Sequence, residues 1–438
     1  MDSGLELWKK AKKIIPGGTQ LLSKRSEMYL PDHWPSFYSK AKGIDIWDLD
    51  GQKYTDMTIM GIGACILGYA DDDVDDAVTK AVSNGSMCTL NCPEDVELAE
   101  KLIALHPWAS QVRYSRTGGE AMAIAVRIAR AHTKREKVAF CGYHGWHDWY
   151  LAANLADEAN LDGHLLPGLD PAGVPRGLSG TAIPFAFNKI DELEAIVAKD
   201  KNLAAIIIEP MRHDTPAEGF LKRAREIADE IGAVLIYDEV TAAWRKNVGG
   251  VHKLFGVNPD IAVLGKAMSN GFPMAAIIGT NKVMDAVQTS FISSTYWTDR
   301  IGPTAALATI KKMEDQNVPG HLVSIGKYIG QGWKKTAQET GIKLNVMFDM
   351  EPLIAFSLDY GEKSQAMRTL FTQEMLKRGY LASNSVYVSF AHQKADVDWY
   401  MEQVTEVFKM MKKAHDGDSV EKLLEGPVAH SGFKRLVS

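Results

Sequence analysis

Cysteine is scarce in this chain. The 438 residues contain four, Cys65, Cys88, Cys92 and Cys141. So few thiols in so long a chain exclude a disulfide framework as the source of stability. Cys88 and Cys92 lie close together, but no second Cys or His pair follows at zinc-finger spacing, so no metal centre is expected. Reduced thiols fit a cytoplasmic protein. Long apolar runs are also missing. None reaches the roughly 18 residues a membrane-spanning helix needs. The first sixteen residues have neither an apolar h-region nor a cleavage site, so no signal peptide is expected. A surplus of charge is lacking too. Charged residues make up 24% and the net charge is −6, which gives no electrostatic reason to expect nucleic acid or an anionic membrane as partner. No internal repeat or low-complexity segment is visible.

What is present is a large apolar fraction, 46%, enough for an extensive core. Leu5, Trp8, Ala11 and Ile15 recur at helical spacing, with lysines on the other sides, and predict a short amphipathic helix that packs on the domain or on a partner subunit. Pro16-Gly17-Gly18 ends it. Gly43 to Met57 alternates apolar and polar residues around Asp50-Gly51 and predicts a β-hairpin with a type I′ turn. Helices are expected over 72–83 and 94–105.

The rhythm then changes. Short apolar runs at Val112–Ser115, Lys137–Cys141, Leu203–Ile208, Val234–Tyr237, Ile261–Leu264 and Ala275–Ile278 alternate with helices at Glu120–Ala131 and Phe220–Ile231. Continuous apolar strands separated by helices indicate a buried, mainly parallel sheet. From about Gly302 the pattern is helical to Thr340, and mixed strands and helices follow. The expected organisation is an N-terminal segment over 1–57, a large α/β domain over 58–302 and a smaller α+β domain over 303–438.

In such sheets, ligands bind beyond the carboxyl ends of the strands. Four features lie there. Asp238 follows the apolar run Val234 to Tyr237; a carboxylate at that position is costly without a cationic partner. Lys266 follows Val263-Leu264-Gly265, where lost solvation would lower its pKa and make it a better nucleophile. Thr117-Gly118-Gly119-Glu120 joins a strand to a helix, where glycines admit a phosphate to the helix N-terminus. Tyr143, in Tyr143-His144-Gly145, could lie flat against a ring. Taken singly, each has an ordinary reading: a loop carboxylate, a surface lysine, a common turn, an aromatic covering a sheet end. Together they match the needs of pyridoxal phosphate, which requires an imine-forming lysine, a carboxylate at the pyridine nitrogen, a phosphate cradle and a stacking group.

At this point the chain resembles the class III, fold-type I aminotransferases, most of all the glutamate-1-semialdehyde aminomutase group. The segments that carry the likeness are Trp47-Asp48-Leu49-Asp50-Gly51, Gly118-Gly119-Glu120-Ala121, Tyr143-His144-Gly145, Glu209-Pro210, Asp238-Glu239-Val240 and Pro259-Asp260 through Gly265-Lys266. The resemblance implies a seven-stranded, mainly parallel sheet between helices. It implies that Lys266 holds the cofactor, that Asp238 pairs with the pyridine nitrogen, and that Tyr143 and Val240 cover the two ring faces. It further implies that Gly118 and Gly119 bind the phosphate, that Glu209 lies near the site, and that Thr295 reaches the phosphate of a neighbouring subunit. The last role implies a homodimer with an active site shared across its interface.

Departures from the group concern the substrate. Leu21 and Lys24 stand where the aminomutases have a serine and an arginine, and Ile62 stands where they have a tryptophan. Tyr296-Trp297-Thr298-Asp299-Arg300 replaces a different run after the threonine. A kept cofactor site with a changed pocket suggests the same chemistry on another substrate. The divergence resembles that of transaminases of bacterial surface-polysaccharide and lipopolysaccharide synthesis, which move an amino group from L-glutamate, leaving 2-oxoglutarate, to a carbonyl sugar. The expected acceptor is the 8-oxo form of 3-deoxy-manno-octulosonate. His144, Trp297, Arg300 and Lys24 are the candidate substrate contacts, with Arg300 as a carboxylate clamp. The rival readings are glutamate-1-semialdehyde 2,1-aminomutase, which needs no external donor, and a pyridoxal phosphate enzyme acting on a β- or ω-amino acid.

Overall fold

The computed structural model describes residues 3–164 and 167–431. They fall into two compact units, Asp72–Pro319 and the pair of segments Met1–Asp71 with Gly320–Ser438. The boundaries drawn from sequence pattern at 57/58 and 302/303 lie short of the contact boundaries at 71/72 and 319/320.

The unit Asp72–Pro319 is built on one seven-stranded sheet. In chain order its strands are β1 (Gln111–Ser115), β2 (Lys137–Cys141), β3 (Ala182–Pro184), β4 (Leu203–Ile208), β5 (Val234–Asp238), β6 (Ile261–Leu264) and β7 (Ala275–Gly279). Their spatial order is β1-β7-β6-β5-β4-β2-β3. The strands β3, β2, β4, β5 and β6 run parallel. Only β7 runs the other way, antiparallel to both β6 and β1.

The strands read as continuous apolar runs because both faces of the sheet are covered. On one face Phe140, Ile207, Ile236, Val263 and Ile277 pack against Ala121, Ala125, Ile128 and Ala129 of the helix Gly118–Thr133. On the other, Ile206, Ile208, Leu235 and Tyr237 meet Phe220, Ala224, Ile227 and Ala228 of the helix Phe220–Ile231. Burial of each large aliphatic side chain contributes about 1.5–3 kcal/mol. The alternation has a second consequence. The ends of β1, β2, β4, β5 and β6 point the same way, so the residues after them gather along one edge.

The Gly118–Thr133 helix begins two residues earlier than its apolar pattern suggested. A capping box explains this. Thr117 Oγ1 accepts from the Glu120 N–H, and Glu120 accepts from the Thr117 N–H at 3.1 Å. The two glycines are therefore the first turn of the helix rather than a loop before it.

The other unit is α+β. One sheet orders Tyr38–Lys42, Asp45–Asp48, Lys53–Met57 and Tyr380–Ala382, and a second orders Leu344–Met347, Leu353–Leu358 and Ser385–Tyr387. The helices Ser364–Lys377 and Lys394–Asp416 bring Phe371 and Phe408 together, 5.7 Å between ring centroids. The N-terminal helix Ser3–Ile14 buries Trp8 and Ala11 on its own unit, and Trp8 Nε1 donates to Glu27 at 3.2 Å.

The expected hairpin forms, but its turn is not type I′. That type needs positive φ at both central residues, and here Gly51 has φ +84 while Asp50 is not left-handed. The Asp48 N–H donates to Gln52 O at 3.0 Å, leaving a three-residue loop. Asp48 Oδ1 accepts from the N–H groups of Asp50 and Gln52, at 3.0 and 2.8 Å, and this side-chain anchor selects the longer loop.

Candidate active site

The sheet edge collects residues from five strand ends. Thr117-Gly118-Gly119 follows β1, Tyr143-His144-Gly145 follows β2, Glu209 follows β4, Asp238 ends β5 and Lys266 follows β6. Asp238 pairs in register with Val263 of the neighbouring strand, so Asp238 and Lys266 leave the sheet side by side.

Asp238 is 4% exposed, and its carboxylate is held at both oxygens. His144 Nδ1 lies 2.8 Å from Oδ2, and the Val240 N–H donates to Oδ1 at 3.1 Å. The other ring nitrogen of His144 lies 3.1 Å from Cys141 O, so both nitrogens face acceptors. His144 is fully engaged and buried. At 1% exposure, with one ring nitrogen on Asp238 and the other on Cys141 O, His144 faces protein partners where a substrate contact was expected.

Lys266 has a left-handed backbone, φ +44, a conformation that costs a non-glycine residue about 1–2 kcal/mol. Its Nζ donates to Thr241 Oγ1 at 2.7 Å. Burial lowers its pKa to about 8; Arg212 and Arg245 push it down further while Glu209 and Asp238 oppose. A substantial fraction of the amine is therefore uncharged and nucleophilic just above neutrality.

The glycine turn is closely walled. A Cβ on Gly118 would sit 2.9 Å from Val240 Cγ1, and one on Gly119 would sit 3.1 Å from the His147 ring. The Tyr143-His144-Gly145 loop lies against the same turn, since a Cβ on Gly145 would come within 3.0 Å of Gly119 Cα. The capping box occupies the N–H groups of Thr117 and Glu120, and those of Gly118 and Gly119 stand between them at the positive end of the helix. Val240 is thus brought between the glycine turn and Gly265, where a Cβ would meet it at 3.6 Å. Tyr143 stands perpendicular to Tyr150, ring centroids 5.8 Å apart. Its backbone N–H donates to Glu209 Oε2 at 2.9 Å. Glu209 also receives Arg212 Nη1 at 3.4 Å.

Arg300 is bound bidentately by Glu94, with contacts of 2.7–2.9 Å, so the clamp expected of it already has its carboxylate. Both residues are at helix starts, and the pair ties those helices together. Trp297 packs on the apolar cluster beneath the Gly118–Thr133 helix, and its carbonyl accepts from Arg116 at 3.1 Å. Thr295 is exposed on a short 3-10 turn, Thr295–Thr298. Lys24 belongs to the other unit, on the turn Leu22–Lys24.

Sequence reasoning missed Thr241, Arg212 and Arg245. Thr241 follows the quoted Asp238-Glu239-Val240 by one residue, and Arg212 follows Glu209-Pro210-Met211, so proximity to a strand end was the available signal. Arg245 is 1% exposed and donates to Thr241 O at 2.6 Å. Glu239, fully buried, holds the far end of the same loop through the His252 ring at 2.7 Å and the N–H groups of Val251 and His252.

A buried carboxylate held at both oxygens, a desolvated lysine after the adjacent strand and a glycine-walled helix N-terminus form one donor set. Its chemistry suits a cofactor with a basic ring nitrogen, an aldehyde and a phosphate. The fold and this edge define a fold-type I pyridoxal phosphate-dependent transferase. Residues 29–382 match the family described as Aminotransferase class-III. The chain is 31% identical over 421 residues to the 3-aminobutyryl-CoA aminotransferase of Cloacimonas acidaminovorans (strain Evry), covering 93% of this chain and 97% of that one. It is 31% identical over 436 residues to the glutamate-1-semialdehyde 2,1-aminomutase of Ignicoccus hospitalis, covering 94% and 100%. Among solved structures, the pyridoxal phosphate form of the FumI protein of Sphingopyxis sp. MTA144 superimposes with a TM-score of 0.85 at 24% identity, covering 94% of this chain and 97% of that one. The protein belongs to the class III aminotransferases, enzymes that use pyridoxal phosphate. Among the described residues no helix is long and apolar enough to cross a membrane.

Proposed function

We propose that Lys266 is the catalytic lysine and that the strand-end residues above hold the cofactor. The observation that carries this reading is the side-by-side exit of Lys266 and a locked Asp238 from adjacent parallel strands. Asp238 faces the ring nitrogen and keeps it protonated, with His144 fixing the carboxylate. Gly118 and Gly119 bind the phosphate through backbone N–H groups. Tyr143 and Val240 flank the ring. Thr295 serves the phosphate of a second copy of the chain, which makes the working form a homodimer. Glu209 ties the Tyr143 loop to β4.

When bound, the cofactor supplies an aldehyde that captures amines and a ring that stores the electron pair left by proton removal. Lys266 Nζ takes the proton from the substrate carbon and delivers it again on the cofactor side, as a base whose pKa of about 8 suits both tasks. Thr241 Oγ1 orients that amine.

The proposed reaction takes the amino group from L-glutamate, forming 2-oxoglutarate, and places it on an acceptor whose carbonyl is not the 2-oxo group of an amino-acid precursor. A β- or ω-oxo acid or its thioester is the acceptor we favour, supported by the likeness to the 3-aminobutyryl-CoA enzyme. The second reading is a sugar-acid aldehyde, the 8-oxo form of 3-deoxy-manno-octulosonate, in surface-polysaccharide synthesis. It is supported by Leu21, Lys24 and Ile62, which depart from the aminomutase pattern. It is weakened by the engagement of His144 and Arg300 elsewhere. An aminomutase would turn over glutamate-1-semialdehyde without any donor.

Two experiments test these statements. Borohydride treatment of the holoenzyme links the cofactor to the peptide containing Lys266, and labelling of another lysine overturns the assignment. A screen of acceptors with L-glutamate, read as 2-oxoglutarate formed, ranks β-oxo acids above sugar-acid aldehydes; the reverse order selects the second reading, and donor-free turnover of glutamate-1-semialdehyde rejects both.

A further inference from the structure

A cavity of about 420 Å³ opens in the unit that carries Lys266. It adjoins the Lys266 site, since Glu209 and Arg212 lie on its wall and the charges of both act on the Lys266 amine. Two successive amides of the loop after β2 build its inner end. The Gly142 N–H donates to His164 Nδ1 at 3.1 Å, and the Tyr143 N–H donates to Glu209 Oε2 at 2.9 Å. Glycine is needed at 142, where φ is +113 and a Cβ would lie 2.7 Å from Glu209 Oε2.

These bonds fix what the wall presents. Because His164 Nδ1 accepts, the ring proton sits on Nε2 as a donor. Among the described residues Nε2 meets no partner, and neither does Glu209 Oε1, an acceptor. Asn160 donates its amide to Ala153 O at 2.8 Å, which leaves Oδ1 as a second acceptor. Pro184 and the buried Phe185 add an apolar wall.

Charge narrows the occupant. Burial lowers the pKa of His164, with the His144 ring adding to it, and burial also lowers that of His213, so both rings are neutral. Arg212 is already engaged, by Glu209 at 3.4 Å and by a further contact, so the pair leaves no net charge at the inner end. The exposed Glu192 and Asp214 make the rim acidic and repel an anion, while Arg212 opposes a cation farther in. What fits is an uncharged group with both a donor and an acceptor, a hydroxyl or a secondary amide.

We propose that this cavity is a subsite for the uncharged, hydrogen-bonding tail of the amino acceptor, with His164 Nε2 donating to that tail and Glu209 Oε1 accepting from it. The proposal rests on the transaminase reading above and adds the chemistry of the part remote from the reacting carbon. Two sources supply such a tail: the amide arm of a pantetheine thioester and the hydroxyl chain of a sugar acid.

The test uses holoenzyme and two uncharged probes, pantothenol for the amide arm and galactitol for the hydroxyl chain. In calorimetric titrations at least one binds, and the tighter binder names the source. His164→Phe weakens that binding about three- to tenfold, the range of one neutral hydrogen bond. His164→Gln, which returns a donor near the place of Nε2, restores most of the affinity and keeps the test open if the phenylalanine variant folds poorly. In single-turnover half-reactions of His164→Phe, the half-saturation constant rises for the acceptor ranked first in the screen above and stays unchanged for L-glutamate. Binding of neither probe, or unchanged affinity in His164→Phe, overturns the proposal. An equal rise for L-glutamate overturns it too, since that marks a merely structural role. Failure of borohydride to label Lys266 would instead strike the parent reading, and the probe titrations are measured independently of it.

Discussion

Lys266 and Ile62 share an uncommon feature, a left-handed backbone on a non-glycine residue, with φ +44 and φ +61. Their settings differ. Lys266 leaves a buried strand, and its neighbours are the ends of strands in the same sheet. Ile62 lies in Met60–Gly63, where Met60 and Gly61 are left-handed too. That segment is flanked by a buried carboxylate rather than a sheet edge. Asp56, 3% exposed, accepts from the Thr58 N–H at 2.7 Å and from the Tyr69 hydroxyl at 2.5 Å, and its carbonyl lies 2.9 Å from His392 Nε2. The Tyr387 N–H closes the loop onto Thr58 O at 2.7 Å. Strain at Lys266 is thus placed by regular secondary structure. Strain at Ile62 is placed by polar contacts between residues more than three hundred positions apart. The first kind can be read from a local motif, and the second cannot.

The two regions predict opposite responses to substitution. Lys266→Ala lowers the transamination rate by roughly 10⁴-fold or more, since base and nucleophile are lost together. It leaves the fold intact, measured as an unchanged far-ultraviolet circular dichroism spectrum; retained activity would remove Lys266 from its role. Asp238→Asn lowers the rate on the order of 10²-fold, as expected when a positioned electrostatic partner is removed. His144→Ala gives a smaller loss of about tenfold, because it acts through Asp238. Equal losses would mean that His144 touches the substrate.

Asp56→Ala is predicted to act on stability instead. It leaves the hydroxyls of Thr58 and Tyr69, and the Thr58 N–H, without their acceptor and costs roughly 2–4 kcal/mol in denaturant unfolding. An unchanged midpoint would show that the Met60–Gly63 turn is held by something other than this carboxylate.

Lys266 also makes a pH prediction for the apoprotein. Its folded pKa of about 8 lies below the ordinary lysine value of 10.5, so between those values the unfolded chain binds more protons. Stability therefore rises with pH across that window. The penalty, roughly 3 kcal/mol, is fully present below pH 8 and is relieved as the pH approaches the unfolded value. Lys266→Met removes this slope, and a parallel pH dependence in both proteins would contradict it. The smallest effect is expected at Ile62. Ile62→Gly relieves about 1 kcal/mol of backbone strain, offset by lost apolar contact and by greater freedom in the unfolded chain. A shift in unfolding free energy larger than about 2 kcal/mol in either direction would place Ile62 among the packing residues instead.

Much of the large unit was legible in advance. The apolar runs that became β2, β4 and β6 have the boundaries their sequence suggests, because a strand buried on both faces has no polar position to blur its ends. The glycine turn, Tyr143, Asp238 and Lys266 were visible for the same reason, as the first residues beyond each run. The helix start at Gly118 and the Asp48-anchored hairpin loop were misjudged by a few residues, since side-chain hydrogen bonds decided them and periodicity carries no trace of those. His144 and Arg300 were assigned to the substrate by residue type alone. Their actual partners, Asp238 and Glu94, are 94 and 206 positions away.

The sequence by itself determined the alternating α/β architecture, the strand ends and the lysine and aspartate that stand on them. These follow from local periodicity and from the cost of leaving apolar runs in water. Only the tertiary structure decided which side chains were already occupied, as His144 is by Asp238 and Arg300 by Glu94. Hydrogen bonds such as His144 to Asp238 and the Tyr143 N–H to Glu209 form between separate strand ends, and no local pattern records which strands the sheet places side by side.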